Sequence, residues 1–568
     1  MREKSETMEV LKHSRKFLKY LKVSIIFIPL LLIAGSLEPF LIRYLLDDLI
    51  PQKALGKLFW FVMAFFAIKF SERALSLVVN YSFMRGTAIA TVDEQKNALM
   101  KILKLPMLKL KNENSNELFT KISSDIPIMV QSLSGVIVGI LSNAIFLAIV
   151  AGILIFFSWQ LSLIVFSTAF LYVFAVNAFN KKLKETSSNE RQINERLTGE
   201  MKEDIEGMIS VKKVLKEDYL LSKFKKALTD WLKIVNKYSF VKKSATELVY
   251  FVRGISPIIV LCVGGYLVMK KSITLGTLVG FYAYMGWIYE PIRKISEFSI
   301  SLKSAVPVYE RVRHFEKMDE EKDGEQPFER FKDARYENVR FTYTGKEVLK
   351  GVNLRLYRGQ SIAIVGLSGS GKSTLVSLLP RYYQATAGKV LINSNNVKEY
   401  LLRELRKKIV VVHQNDFLFN TTVKENITLG EQFTEEQFQE AVRIACVDRF
   451  IGELDRGYET IVGERGSKLS DGQRQRVAIA RAVIRKPEVL VLDEATSGVD
   501  SETEEKIFEG LKSLGITVVI VSHRLSTIRK AEKILVLDDG RIVEEGSHDE
   551  LAEKGSMYRK IIKSQLVG

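Results

Sequence analysis

The sequence predicts a multidomain chain: an all-α, six-helix transmembrane domain followed by an α/β domain of P-loop type. Three observations carry this. Long apolar runs crowd the first 300 of 568 positions, whereas the remainder is charged. Beyond residue 330, short β-branched runs alternate with helical segments, the pattern of α/β domains. One such run, Ser361 to Val365, leads straight into a glycine-rich loop and then a helical segment.

The chain averages conceal this division. Hydrophobic residues make up 47% and charged residues 26%, which taken whole would pass for a soluble protein. The formal net charge is +17. Lys and Arg gather beside the apolar runs, where the cytoplasmic flanks of spanning helices carry them. No basic stripe interleaved with aromatics is present, so no nucleic-acid partner is expected. Cys262 lies in an apolar run and Cys446 far away in the second half, with no disulfide or metal-ligand spacing. Both read as packing residues, and no disulfide is expected in a domain that faces a reducing cytoplasm.

The membrane elements follow in order. A helix needs ~20 apolar residues to cross a ~30 Å hydrocarbon core. Runs of that size cover about 23–46, 58–80, 133–157, 160–180, 247–269 and 275–295. The first follows Lys12, Arg15, Lys16, Lys19 and Lys22 and is too long for a signal peptide, so it reads as a retained span. Spans one and two, three and four, and five and six are joined by short segments. The long connections at 81–132 and 181–246 carry helical periodicity and dense charge. An even number of spans puts both termini and both long connections on one side, and Lys/Arg enrichment makes that side cytoplasmic. The expected location is therefore the plasma (inner) membrane, multi-pass, with the C-terminal domain in the cytoplasm.

Charged residues within the spans are Glu38, Lys69, Glu72, Arg73, Arg253 and Glu290. Such residues are functional candidates because leaving them in lipid is costly, although those near span ends can snorkel to the interface. After the last span comes an acidic, aperiodic stretch from Asp319 to Gln326, which reads as a linker. The expected division is a membrane domain at 1–318, a linker at 319–329 and the α/β domain at 330–568.

The glycine-rich loop is Gly366-Leu367-Ser368-Gly369-Ser370-Gly371-Lys372-Ser373-Thr374. Strand, loop and helix in this order form a phosphate-binding loop. Its glycines let backbone N–H groups face phosphate oxygens, and the helix N-terminus adds a favourable dipole. Lys372 would reach the β- and γ-phosphates and Ser373 would hold Mg²⁺, so ATP and Mg²⁺ are the expected cofactors. Further on, the apolar Val489 to Leu492 ends in Asp493 and Glu494. Open α/β sheets bind ligands at this strand end. Asp493 suits the Mg²⁺ shell, and Glu494 suits the general base that polarises the attacking water. These pieces make the second domain an α/β P-loop ATPase domain.

Between the two motifs stand Leu469-Ser470-Asp471-Gly472-Gln473 and Arg474-Gln475-Arg476. This stretch resembles the signature sequence of the ABC transporter superfamily, and other family elements surround it in order. Tyr343 resembles the aromatic that stacks on adenine. Gln414 resembles the glutamine that joins the ATP and Mg²⁺ site to the membrane domain. Thr460 to Gly466 resembles a segment typical of exporters, as do Phe157-Ser158-Trp159 and Leu105-Pro106. Ser497 to Asp500 matches the loop after the catalytic acid, and His523 the histidine that senses γ-phosphate.

The resemblance covers essentially the whole chain and implies an exporter-type half-transporter. Two ATP-binding domains of this family close head-to-tail on two ATP molecules, each held between one domain's phosphate loop and the other's signature. Ser470, Gly472 and Gln473 would thus serve the partner's ATP. A second half-transporter is implied, giving twelve spans that alternate between inward- and outward-facing forms. Lys111–Asn116 and Glu206–Val211, midway along the long connections, are the expected docking segments. Fusion of both domains in one chain favours export over import, with an ATP-gated channel or regulator as the alternative. The expected substrate is an amphipathic drug or lipid-like molecule, with membrane lipid as a further partner. The aromatics Phe281, Tyr282, Tyr284, Trp287 and Tyr289 of span six suit it. Asp471 departs from the family, which usually has glycine there. A carboxylate ~6 Å from a γ-phosphate costs roughly 3 kcal/mol per unit charge at an effective dielectric near 20, unless its side chain turns away. An altered signature beside an intact Glu494 favours one half of a heterodimer over a homodimer.

Overall fold

The computed structural model describes residues 9–566 except 11, 54 and 344. At 177, 180, 181, 184, 296, 297, 299–301, 303, 304, 316 and 564–566 only the backbone is described. The chain forms two compact units, one of residues 1–102 with 115–318 and one of residues 103–114 with 319–568.

The first unit is helical. Its long elements are Leu18–Ser36 continuing through Glu38–Tyr44, then Leu55–Leu103, Ile126–Phe157, Trp159–Glu206 and Glu217–Met269. Leu275–Met285 follows, and a 3₁₀ turn at Gly286–Ile288 joins it to Tyr289–Glu316. At 1.5 Å per residue the three longest run about 70–80 Å, so they pass well beyond a ~30 Å hydrocarbon core. Among the described residues, four helical segments are long and apolar enough to cross a membrane: Lys12–Leu49, Ser115–Phe157, Trp159–Val176 and Glu217–Met269. The other two predicted spans differ for identifiable reasons. The second carries Lys69, Glu72 and Arg73 within one helix, and the sixth is broken at the 3₁₀ turn.

The breaks between helices have local causes. Ser158 takes an extended backbone, φ −165°, and its Oγ accepts from the N–H of Leu161, starting the next helix. The N-terminus of Leu275–Met285 is capped by Thr274 and by Asp47 from the far end of the first helix pair. The Asp47 carboxylate accepts from Thr274 Oγ1 at 2.5 Å and from the Gly276 N–H at 2.8 Å, where the helix dipole favours negative charge.

The charged residues within the predicted spans find one another. Lys69 Nζ donates to Glu38 Oε2 at 2.5 Å and to Glu72 Oε2 at 3.1 Å. Glu290 pairs with Arg293 and Lys294, whereas Arg73 and Arg253 are exposed. Of the span-six aromatics, Phe281, Tyr284 and Tyr289 are core residues packed with Phe157 and Tyr172. Tyr284 also donates to the carbonyl of Ser36. Those three rings hold the unit together, while Tyr282 is exposed.

The second unit contains ten strands: β1 Asp333–Tyr343, β2 Lys346–Tyr357, β3 Ser361–Val365, β4 Ala387–Ile392, β5 Asn395–Asn396, β6 Ile409–His413, β7 Val489–Asp493, β8 Thr517–Val521, β9 Lys533–Asp538 and β10 Arg541–Gly546. A four-stranded antiparallel sheet has the order β2-β1-β4-β5. A six-stranded sheet has the order β10-β9-β3-β8-β7-β6, parallel except for β10. β7 and β8 are buried at every position, as expected of parallel strands covered on both faces.

The stretch read as a linker makes specific contacts within this unit. Glu321 makes a bidentate pair with Arg406, at 2.6 and 2.9 Å, and its N–H donates to the carbonyl of Lys104. The fully buried Arg381 donates to the carbonyls of Lys322, Lys398 and Tyr400. Residues 103–114 belong to the same unit, where the short helix Met107–Asn112 packs Leu108 against its core. Pro106 starts that helix, a few residues ahead of the predicted 111–116. The corresponding turn of the second long connection is Met208–Lys213, two residues beyond the predicted 206–211.

Candidate functional site

The parallel strands β3, β8, β7 and β6 lie side by side, so the segments leaving their C-terminal ends are neighbours. Each carries a motif residue identified in the sequence. β3 runs into the phosphate loop, β7 ends at Asp493 and Glu494, β6 is followed by Gln414, and β8 is followed by His523.

Gly371, with φ +102°, occupies the left-handed region and turns the chain into helix Lys372–Ser377. Lys372 is buried, and its Nζ donates to the carbonyls of Gly366 and Leu367 at 2.9 and 3.0 Å. Burial pushes its ammonium pKa down, opposed by the charges of Glu494 and Asp493. The Ser370 hydroxyl is buried in the loop without a hydrogen-bond partner among the described residues. An orphaned donor inside a loop with an adjacent cation fits an anionic phosphate group. Ser368 and Gly369 are exposed on the same loop. Thr374 is buried in the first helical turn, 3.4 Å from the hydroxyl of Tyr343. The Tyr343 ring, half-buried, meets Phe341 and Tyr383 edge-on at 4.7 and 5.7 Å.

Ser373 Oγ donates to Asp493 Oδ1 at 3.1 Å, and His413 Nδ1 lies 3.1 Å from Oδ2 of the same carboxylate. The hydrogen bond to Asp493 raises the His413 pKa above the ordinary imidazole value, against the effect of burial. Ser373 and Asp493 supply hard oxygen donors of the kind Mg²⁺ takes. Among the described residues no three His, Cys, Asp or Glu side chains converge as a metal cage. Mg²⁺ in nucleotide sites takes few protein ligands and completes its shell with phosphate and water, so the pair fits it. Gln414 sits apart from the pair: its Nε2 donates to Ser497 Oγ at 3.3 Å.

Glu494 has φ +56°, a left-handed conformation that costs a non-glycine residue about 1–3 kcal/mol. Its N–H donates to the carbonyl of Val521, and its Oε1 lies 3.1 Å from His523 Nε2. Next to His523, Arg524 donates to the carbonyls of Ser497 and Val499, fastening that segment to the loop after the acid.

The signature residues sit on a separate helix, Asp471–Val483. Ser470 caps it, and Ser470 and Gln473 close a reciprocal capping box. Gly472 lies so close to the loop after the acid that a Cβ there would meet the Gly498 carbonyl at 2.4 Å. Gln475 crosses the same contact, donating to Ser497 and the Gln414 carbonyl and accepting from the Gly498 N–H.

A family model described as ABC transporter matches residues 349–497, and one described as ABC transporter transmembrane region matches 22–292. The chain belongs to the ABC transporter family. This ABC transporter is 32% identical over 554 residues to YgaD of Bacillus subtilis (strain 168), named a multidrug export ATP-binding/permease protein, covering 93% of each chain. It is 31% identical over 549 residues to an ATP-dependent lipid A-core flippase of Syntrophus aciditrophicus (strain SB), covering 94% of this chain and 91% of that one. The solved structure of a bacterial Atm1-family ABC exporter with ATP bound superposes with a TM-score of 0.81 at 25% identity, covering 96% of this chain and 98% of that one. The ABC transporter therefore couples an ATPase domain to a multi-pass membrane domain.

Reading the sequence for motifs missed three residues that the structure places at this edge: His413 on Asp493, Gln475 between two loops, and Arg474 on Asp471. The signal for His413 was its place at the end of an apolar strand, directly before Gln414. For Arg474 it was its position one helical turn after Asp471, and for Gln475 only its place just after the signature, since its partners Ser497, Gly498 and Gln414 lie 22 to 61 residues away.

Proposed function

We propose that this ABC transporter exports an amphipathic, lipid- or drug-like molecule by alternating access, as one half of a dimer with twelve spans. It would lie in the plasma (inner) membrane with its ATPase domain in the cytoplasm, six spans at the expected positions and domain limits near 318 and 330. The observation that carries the reading is the convergence of the phosphate loop, Asp493, Glu494 and His523 on one edge of the β3-β8-β7-β6 sheet. Relatives named for multidrug export and lipid A-core flipping support the substrate class.

In the working site Lys372 and the loop N–H groups bind the phosphates, with the Ser370 hydroxyl as a further donor. Tyr343 is offered to the adenine. Ser373 and Asp493, joined by Gln414 on closure, hold Mg²⁺, which neutralises phosphate charge when bound. Glu494 accepts a proton from the attacking water, and His523 orients Glu494 and contacts the γ-phosphate. Ser470, Gly472 and Gln473 face the partner's ATP. ATP drives the cycle because it binds the closed pair better than the open one.

The test is transport by the purified chain in liposomes, using a fluorescent amphipathic dye and a fluorescent phospholipid. ATP-dependent movement of either probe, lost on Glu494→Gln, is the expected result. ATP-dependent ion conductance without movement of either probe would place the chain with the gated channels instead.

A further inference from the structure

Asp471, the departure from the family signature, opens helix Asp471–Val483 with a mostly exposed side chain. Its carboxylate is nevertheless held. Oδ1 accepts a hydrogen bond from Nη2 of Arg474, one turn further on. Nη1 of the same guanidinium donates to the carbonyls of Leu469 at 2.8 Å and Gly466 at 3.4 Å. With His413, Gln414, Gln475 and Ser497, the two side chains line a polar cavity of about 270 Å³.

An exposed ion pair alone contributes little, because holding two long side chains in one geometry offsets the attraction. Here the entropy of the arginine is already restricted by two backbone carbonyls in the segment leading into the helix. The planar guanidinium can satisfy those carbonyls and the carboxylate together, which a lysine ammonium cannot do with the same geometry. We propose that Arg474 is a positioning residue: it draws the Asp471 carboxylate back onto its own helix and neutralises it, so that the aspartate does not oppose the γ-phosphate of the facing site. The altered signature then remains competent, and two copies of this chain form two working sites. This inference rests on the reading of Ser470 to Gln473 as the contact to the partner's ATP.

The test is a double-mutant cycle on the full chain purified alone, measuring ATP turnover and Mg·ATP binding for the unaltered chain, Arg474→Ala, Asp471→Gly and the double variant. The unaltered chain is expected to turn over ATP as a dimer of itself. Arg474→Ala should lower turnover about a hundredfold, the effect of one repelling charge restored, with binding nearly unchanged. Asp471→Gly added to Arg474→Ala should return turnover to the level of Asp471→Gly alone. Unchanged turnover in Arg474→Ala overturns the proposal. So does a double variant as impaired as Arg474→Ala, which would mark the arginine as merely structural. A chain that binds Mg·ATP without turning over overturns it too, since a partner with a different signature is then required. Failure to bind Mg·ATP at all would defeat the reading of the phosphate loop and this inference with it. If Arg474→Ala does not fold, Arg474→Gln, which removes the charge and keeps a donor for Leu469, takes its place in the same cycle.

Discussion

His523 Nε2 lies 3.1 Å from Glu494 Oε1, although 28 residues separate them in the chain. The contact arises because β7 and β8 are adjacent and in register, Asp493 opposite Val521, so the residues just past their ends emerge together. The Glu494 N–H donates to the Val521 carbonyl and completes the turn that presents the acid.

Glu494→Gln keeps the shape of the site and removes the proton acceptor. Turnover should fall by about 10²–10⁴ while Mg·ATP affinity is retained. Steady-state ATPase assays and equilibrium nucleotide binding on the same preparation check this. Retained turnover would remove Glu494 from the chemistry.

His523→Ala should lower kcat by about tenfold or more, with a smaller change in KM, because the histidine acts on a group already in place. Combined with Glu494→Gln it should cost little beyond the single Glu494 change, since the pair works as a unit. Additive losses in the kinetic cycle would show that His523 acts separately from the acid.

Lys69→Met leaves Glu38 and Glu72 facing each other without their shared cation. Melting in detergent should register a loss of about 1–2 kcal/mol, typical of an interhelical polar contact in a membrane domain. Adding Glu38→Gln and Glu72→Gln should recover part of it. A melting temperature unmoved by Lys69→Met would mean that the triad does not hold these helices.

Glu544, on β10, accepts hydrogen bonds from the N–H groups of Ser556, Met557 and Tyr558 and from the Ser556 hydroxyl, at 2.9–3.2 Å. Partial burial pushes its pKa up, but these donors outweigh it and the folded pKa lies below the usual glutamate range. Its stabilisation is therefore present above the unfolded pKa of about 4.5 and lost as pH falls through the lower folded value. Amide exchange in Met557–Leu566 should accelerate over that window, and Glu544→Ala should cost about 1–2 kcal/mol at neutral pH, as loss of a helix cap does. Exchange in this helix that is independent of pH below 4.5, after correction for intrinsic rates, would contradict the assignment.

The gross plan was legible without a structure because it rests on local features. A run of apolar residues, a glycine-rich loop between a strand and a helix, and two acids closing a strand each depend on neighbours within about a dozen positions. The sixth span was less legible: the apolar run from Leu275 continues through Gly286–Ile288 without a sequence signal for the break there, where Tyr284 and Tyr289 on either side are packed in the core. The contacts of the linker after Asp319 were not legible, because its partners, Arg381 and Arg406, lie 59 to 85 residues away.

Local sequence thus sufficed for the fold class, through apolar runs and the strand pattern, and for the family, through the resemblance of its motifs. Folding decided the rest: that His413 meets Asp493, that Lys69 joins two glutamates, that residues 103–114 pack with the second unit, and that Asp471 is turned back by Arg474. Each of these depends on strand register, helix pairing or a side-chain rotamer. Those are settled by contacts between distant segments and by which donors remain unmatched after the core has packed, quantities that no local pattern encodes.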